Sequence, residues 1–357
     1  KRQTLFWISL FFLAFLINLL LQFSPGLFPD IGGYLRCIKD FKDNLYFDEL
    51  SCQTIVSSST EDSLSFISLK KSLPAVLYSL IPIPSIATFS AVGMINKIFL
   101  LFAYIFLRSK LTSRENITLL ATILLFPSIL LYSSIGLRDN LVFVTQIFLL
   151  FFILGNRFFL SSIFLIVLFA VKTQNGLVFA FLYLGVFFFR AHKKMGNLII
   201  FSGISFISLY LLSDQVVATL NFFKIAFMVE TQDVVLVRNF VPFTSLTSIL
   251  LYSPIEFLQG MLRPFPDSFR SYIFFIESLA QIFLITFLLL KNWGSLARSP
   301  EFYIVFLTIA MGIVLHSLII ENEFTYARYK YTFIYCFIIF LISKNKKDIP
   351  LFNYFKL

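Results

Sequence analysis

The chain carries ten separate apolar stretches, and the Lys and Arg residues between them collect in every second gap. A helix needs roughly 20 apolar residues to cross ~30 Å of hydrocarbon. The stretches fall at Leu5–Phe23, Ile86–Leu107, Ile117–Ile135, Leu141–Gly155, Phe158–Val171, Leu177–Phe189, Leu198–Leu212, Tyr272–Leu290, Phe302–Ile320 and Tyr331–Ser343. Hydrophobic residues make up 58% of the chain, charged residues only 13%, and 49 positions are Phe, so a water-soluble fold would leave too much apolar surface in water. The expected fold is all-α: a polytopic integral membrane protein forming one membrane-embedded domain over residues 1–357, with about ten transmembrane helices.

Charge orients these helices. With Lys1 and Arg2 in the cytoplasm, the same side receives Arg108, Lys110, Arg114, Arg157, Arg190, Lys193, Lys194, Lys291, Arg298, Lys344, Lys346, Lys347 and Lys356. Those fifteen basic residues face three acidic ones, Glu115, Glu301 and Asp348. The opposite side holds thirteen basic residues and, with Glu277 counted there, sixteen acidic ones, and Lys97 is the one basic residue inside a span. The asymmetry predicts that both termini are cytoplasmic. The net charge of +10 is then a topology signal, and nucleic acid is not an expected partner. The first stretch is too long and uninterrupted for a cleaved signal peptide and is expected to remain as the first helix.

Two larger external segments follow from this topology, residues 24–85 and 213–271. The first ends in a Pro-punctuated apolar run, LPAVLYSLIPIPS, too broken to span cleanly and expected to lie in the interface or re-enter the membrane. It also holds Cys37 and Cys52, whose spacing permits a disulfide as well as two free thiols. The second contains YSPIEFLQGMLRPFPDSFR, with helical spacing around Ile249, Tyr252, Glu256 and Gln259 that predicts a helix lying on the outer leaflet. No CxxC or HExxH pattern occurs and the chain has two His, so no metal site is expected.

The remaining external turns are short and polar: GLRDN (Gly136–Asn140), KTQNG (Lys172–Gly176) and ENEFTYARYK (Glu321–Lys330). Arg36, Arg138, Lys172, Arg238, Arg263, Arg270, Arg328 and Lys330 lie at or near this face, where the charge rule predicts few cations. That set points to an anionic ligand, since guanidinium offers a planar fork to phosphate oxygens. The alternative is that each cation pairs with a neighbouring carboxylate such as Asp139, Asp267 or Glu323, or with lipid phosphate. Lys97 must face a partner or a wet cavity, because an unpaired ammonium in a span is costly. Glu277 and His316 lie in the outer halves of their spans. For His316 a satisfied core position and a ligand or proton-handling role are both open.

No Gly-rich phosphate loop or nucleotide-binding pattern is present, so a substrate on the external side must arrive already activated. The segments FPSILLYSSIGLRDNL (Phe126–Leu141), KTQNGL (Lys172–Leu177), LRPFPDS (Leu262–Ser268) and NEFTYARYKYTF (Asn322–Phe333), on a Phe-rich polytopic background with one enlarged late loop, resemble the Wzy-type O-antigen polymerases. That resemblance implies a glycosyltransferase of lipopolysaccharide biosynthesis in the bacterial inner membrane. It would join undecaprenyl-pyrophosphate-linked oligosaccharide repeat units at the periplasmic face, without metal or cofactor. The implied partners are a lipid-linked glycan donor and acceptor, membrane lipids and a chain-length regulator.

On this chain the resemblance assigns Arg138, Lys172, Arg263 and Arg328 to the pyrophosphate or acceptor, with Lys330, Arg238 and His316 as further substrate-binding candidates. Asp139, Glu323 and Asp30 are the candidate general bases for the incoming hydroxyl. Each of these carboxylates also reads as an ion-pair partner that holds a cation in place. Asp30, in FPDIGGY directly after the first stretch, supports an alternative: a GT-C transferase using a polyprenyl-phosphate sugar, although the acidic pair such enzymes carry is absent. A flippase for lipid-linked oligosaccharide would share the cationic cavity but would show internal repeats.

Overall fold

The computed structural model describes residues 6–13, 16–17, 29–44, 74–82, 88–111, 113–135, 138–192, 203–204, 207, 210–230, 241–266 and 268–344. Among the described residues the regular structure is α-helical throughout. Twelve helices are named here: α1 (Pro29–Asn44), α2 (Phe89–Arg108), α3 (Arg114–Ile123), α4 (Pro127–Ser134), α5 (Asp139–Leu154), α6 (Phe158–Val171), α7 (Thr173–His192), α8 (Ser213–Glu230), α9 (Leu246–Leu262), α10 (Phe269–Leu296), α11 (Pro300–Ile319) and α12 (Glu323–Ser343). The chain divides into two compact units, Lys1–Leu149 with Ser162–Gly176, and Leu150–Ser161 with Leu177–Leu357.

Among the described residues three helices are long and apolar enough to cross a membrane: Ser90–Arg108, Ser271–Leu296 and Pro300–Ile319. A fourth crossing is available if α3 and α4 count as one broken span. This is fewer than the ten expected, for identifiable reasons. At 1.5 Å per residue α5 and α6 extend only about 24 and 21 Å, short of ~30 Å of hydrocarbon. α7 and α12 open on polar turns, Thr173-Gln174-Asn175 and Glu323 through Lys330. The Leu198–Leu212 stretch lies largely outside the described residues, as does the second half of Leu5–Phe23.

The stretch Ile117–Ile135, expected as one span, is two helices bent by 61°. Pro127 is the cause. Proline has no N–H and its ring clashes with the carbonyl four residues back, so α3 must end before it. The residue ahead of a proline is driven to extended backbone, and Phe126 sits at φ −63°, ψ 142°.

In the first unit the described part of the Pro-rich run, residues 74–82, has both buried and exposed positions, with Leu77 and Leu80 exposed. Residues 74–79 are helical, and Ala75 and Tyr78 pack with Cys37, Ile38, Val92 and Ile95. Cys37 is disulfide-bonded, while Cys52 lies outside the described residues.

In the second unit α12 is the central helix, buried from Tyr329 to Ser343 and packed on α10 and α11. Its neighbours approach closely where glycine permits. A Cβ on Gly312 would strike the Phe333 ring, and one on Gly260 would strike the Tyr326 hydroxyl. α9 is continuous through Pro254 and packs on α8, α10 and α11, with Leu246, Ile249 and Gly260 buried. Its Leu251, Tyr252, Ile255 and Leu258 are exposed, an apolar face on the outside of the helix.

Two polar knots lie near the two ends of α11, whose 20 residues extend about 30 Å. Near its N-terminus Arg190 donates to the carbonyls of Ile153 and Leu154, to Asn156 and, at 3.3 Å, to Glu301. Past its C-terminus lies the Arg263–Glu323 cluster.

Candidate functional site

The candidate residues fall into two groups, one in each unit. In the first unit, α2 places Asn96 and Lys97 against the C-terminal end of the short helix α4. Lys97 Nζ donates to Ser133 Oγ at 2.6 Å and to the Leu130 carbonyl at 3.4 Å. Asn96 Nδ2 donates to the Ile135 carbonyl at 2.9 Å, and its Oδ1 accepts from the Tyr78 hydroxyl at 2.5 Å. A helix that breaks inside an apolar environment frees carbonyls that must be satisfied from a neighbouring helix. Asn96 does this at the Ile135 carbonyl, with Lys97 beside it at the negative end of α4.

Asn140 Nδ2 then donates to the Asn96 carbonyl at 2.7 Å, which ties the first turn of α5 to α2. One residue earlier, Asp139 Oδ1 lies 3.6 Å from Lys172 Nζ, with both side chains at most 3% exposed. Asp139 opens α5, and Lys172 stands between α6 and α7. Two carboxamide groups that neighbour this pair in the chain, Asn140 next to Asp139 and Asn175 three residues after Lys172, are left with unused capacity. Asn140 Oδ1 is buried without a hydrogen-bonding partner among the described residues, and so are both amide atoms of Asn175, which is fully buried. A buried polar group without a partner costs about 1–3 kcal/mol, so a second group that visits the site is a physical reason to keep it.

In the second unit Arg263 is a hub. Its Nε donates to Glu323 Oε1 at 2.9 Å, its Nη2 to the carbonyls of Ile320 and Glu321 at 3.0 and 2.8 Å, and its Nη1 to that of Ser317 at 3.5 Å. The guanidinium also lies 4.5 Å from the centre of the Tyr326 ring. The sequence positions explain the arrangement. The last turn of α11 leaves carbonyls without helical partners, and Asn322 caps α12 so that Glu323 stands in its first turn.

Lys330, buried in α12, donates to the carbonyls of Met261 and Arg263 and to Ser278 Oγ, joining α9, α10 and α12. Deeper along the same helices Glu277 Oε1 accepts from the Tyr335 hydroxyl at 2.5 Å and from Gln281 at 3.1 Å. His316 is 1% exposed, stacks on Tyr329, and its Nδ1 lies 2.8 Å from the Gly312 carbonyl four residues back. That places His316 in the packed core of the second unit.

The geometry therefore ranks the candidates. Arg263 and Lys330 are occupied in holding helix ends together, His316 is packed in the core against its own helix and Tyr329, and Glu323 is held by Arg263 and the Phe265 amide. Asp139 and Lys172 are a buried pair at more than hydrogen-bond length, with unused carboxamide atoms alongside. Arg138 and Arg328 are half-buried at the entrances to α5 and within α12. Arg238 and the side chain of Asp30 lie outside the described residues.

Sequence reading had not singled out Asn96, Asn140, Asn175, Tyr78, Gln281 or Tyr335. The available signal was a carboxamide or hydroxyl inside or at the lip of an apolar stretch, as with Asn96 beside Lys97 and Gln281 one turn after Glu277. Compared with protein-family models, with curated proteins and with solved structures, the chain finds no match.

Proposed function

We propose that this chain is a Wzy-type O-antigen polymerase of a bacterial inner membrane, with both termini cytoplasmic and its reaction at the periplasmic face. The observation that carries the reading is the Asp139–Lys172 pair, buried at the meeting of helix ends and accompanied by Asn140 and Asn175. The positions of the two knots in the second unit support the topology. Arg263, Glu321, Glu323 and Lys330, which charge alternation assigns to one face, lie together, and so do Arg190 and Glu301, assigned to the other.

In this reading the ion pair exchanges partners. The arriving pyrophosphate takes the Lys172 ammonium, with Arg138 at the half-buried entrance, and leaves Asp139 Oδ1 without its cation. The acceptor hydroxyl gives its proton to Asp139 as its oxygen bonds to the anomeric carbon. The bond from that carbon to the pyrophosphate oxygen breaks, and the lipid pyrophosphate leaves. Cations set where charge develops are the largest lever available in a water-poor site. Arg263, Lys330 and Glu323 hold the second unit in shape as positioning residues. Deletion of the gene is expected to leave a surface polysaccharide with one repeat unit per anchor. Long-chain banding in the deletion strain would refute the reading.

A further inference from the structure

The first unit contains a pocket of about 330 Å³ that the polar site does not use. Its walls come from α2 (Phe99), from residues 74–82 (Leu77, Tyr78), from α5 (Leu141, Phe148) and from α6 (Phe164, Val167). The Tyr78 hydroxyl points to Asn96 and is engaged there, so the lining is almost wholly hydrocarbon. Water has few partners in such a space, and an empty one leaves wall atoms without dispersion contacts. The matching occupant is another hydrocarbon.

Two further observations say which one. First, Leu77 in the wall is 38% exposed, and the nearby outer surfaces of α2 and α6 carry Phe102, Ile105, Ile163 and Ile166, each 43% to 68% exposed. The pocket therefore lies beside an apolar surface, the surroundings a lipid chain would come from. Second, α5 and α6 reach the Asp139–Lys172 pair just beyond the pocket walls, since Asp139 precedes Leu141 and Lys172 follows Val167. A chain in the pocket thus has its head at the cation.

We infer that this pocket binds the first isoprene units of the lipid whose pyrophosphate leaves in the reaction, the donor carrier and not the acceptor carrier. The inference rests on the proposed function and adds which of the two lipids is held. The argument is one of distance along the substrates. In the donor the hydrocarbon begins directly at the pyrophosphate, so a chain in the pocket puts that group at Lys172. In the acceptor the reacting hydroxyl is separated from its lipid by a whole oligosaccharide, and its chain lies elsewhere. The volume is at the small end of ligand sites and takes only the start of a long chain, with the remainder passing over the apolar outer surface into the bilayer.

The test uses the full-length protein in phosphatidylcholine vesicles and a photoactivatable farnesyl pyrophosphate, with adducts located by peptide mass spectrometry. Labelling is expected on residues 141–148 and 164–167. It should be displaced by unlabelled geranylgeranyl pyrophosphate and not by inorganic pyrophosphate, and fall to background in Thr145→Trp, which fills the pocket. Absence of adducts on these walls in the wild-type protein overturns the inference whatever the variant does. So does labelling of the same walls by a photoactivatable phosphatidylcholine that prenyl pyrophosphate cannot displace, which would make this a bulk-lipid site. Binding as expected in a protein whose deletion leaves polysaccharide length unchanged would keep the pocket and remove the polymerase.

Discussion

Lys172 Nζ lies 3.6 Å from Asp139 Oδ1, with both side chains at most 3% exposed. The two charges have left water without forming a short hydrogen bond to one another, and such a pair is sensitive to the removal of either partner. Breaking a buried pair by removing one member costs about 3–5 kcal/mol, whereas replacing both by neutral groups is often close to neutral. Asp139→Asn and Lys172→Met are each expected to lower stability by ~3 kcal/mol, and the double variant to recover most of the loss. Thermal unfolding in detergent measures this. Additive losses in the double variant would show that the two side chains act independently.

Asn175 makes the opposite prediction. Its buried amide has no partner among the described residues, and exchanging an unpaired polar group for an apolar one of similar size removes a cost of about 1–3 kcal/mol. Asn175→Leu is expected to raise the unfolding temperature and to stop chain growth. A variant that is destabilised would mean that the amide is satisfied in the working protein.

Lys330 ties the Met261 and Arg263 carbonyls to Ser278. Lys330→Met keeps the length of the side chain and abandons these acceptors in a buried setting, so it is expected to destabilise by about 2–3 kcal/mol. Chain growth should fall only as far as the amount of folded protein falls. Inactive protein at full abundance and wild-type stability would give Lys330 a direct part in the chemistry.

Gly312 lies against the Phe333 ring where α11 crosses α12. Gly312→Ala is expected to cost ~1–3 kcal/mol by overpacking, and Phe333→Leu in the same chain to return part of it. Unfolding midpoints of the two single variants and the double variant decide this.

How far the sequence reached can be judged from particular residues. The apolar stretches located the bodies of α2, α5, α6, α7, α10, α11 and α12, because lipid-facing and buried helices alike need continuous apolar sequence. Their ability to span was less legible, because burial among neighbours and exposure to lipid select the same residues. α12, central in its unit, is an example. Pro127 breaks the helix, yet the apolar run on either side of it reads as one continuous span. Glu323 was noted both as a base and as an Arg partner, and its Arg proved to be Arg263, sixty residues away. Lys330 reads as a substrate-binding candidate because cations on the external face suit an anionic ligand; its carbonyl acceptors come from a helix end that periodicity cannot place.

The most direct measurement is polysaccharide length in a deletion strain carrying the Asp139→Asn/Lys172→Met double variant, with the protein quantified in the same membranes. The account predicts wild-type abundance together with lipopolysaccharide capped by a single repeat unit, as in the empty deletion strain. Long-chain banding restored by that variant would contradict it.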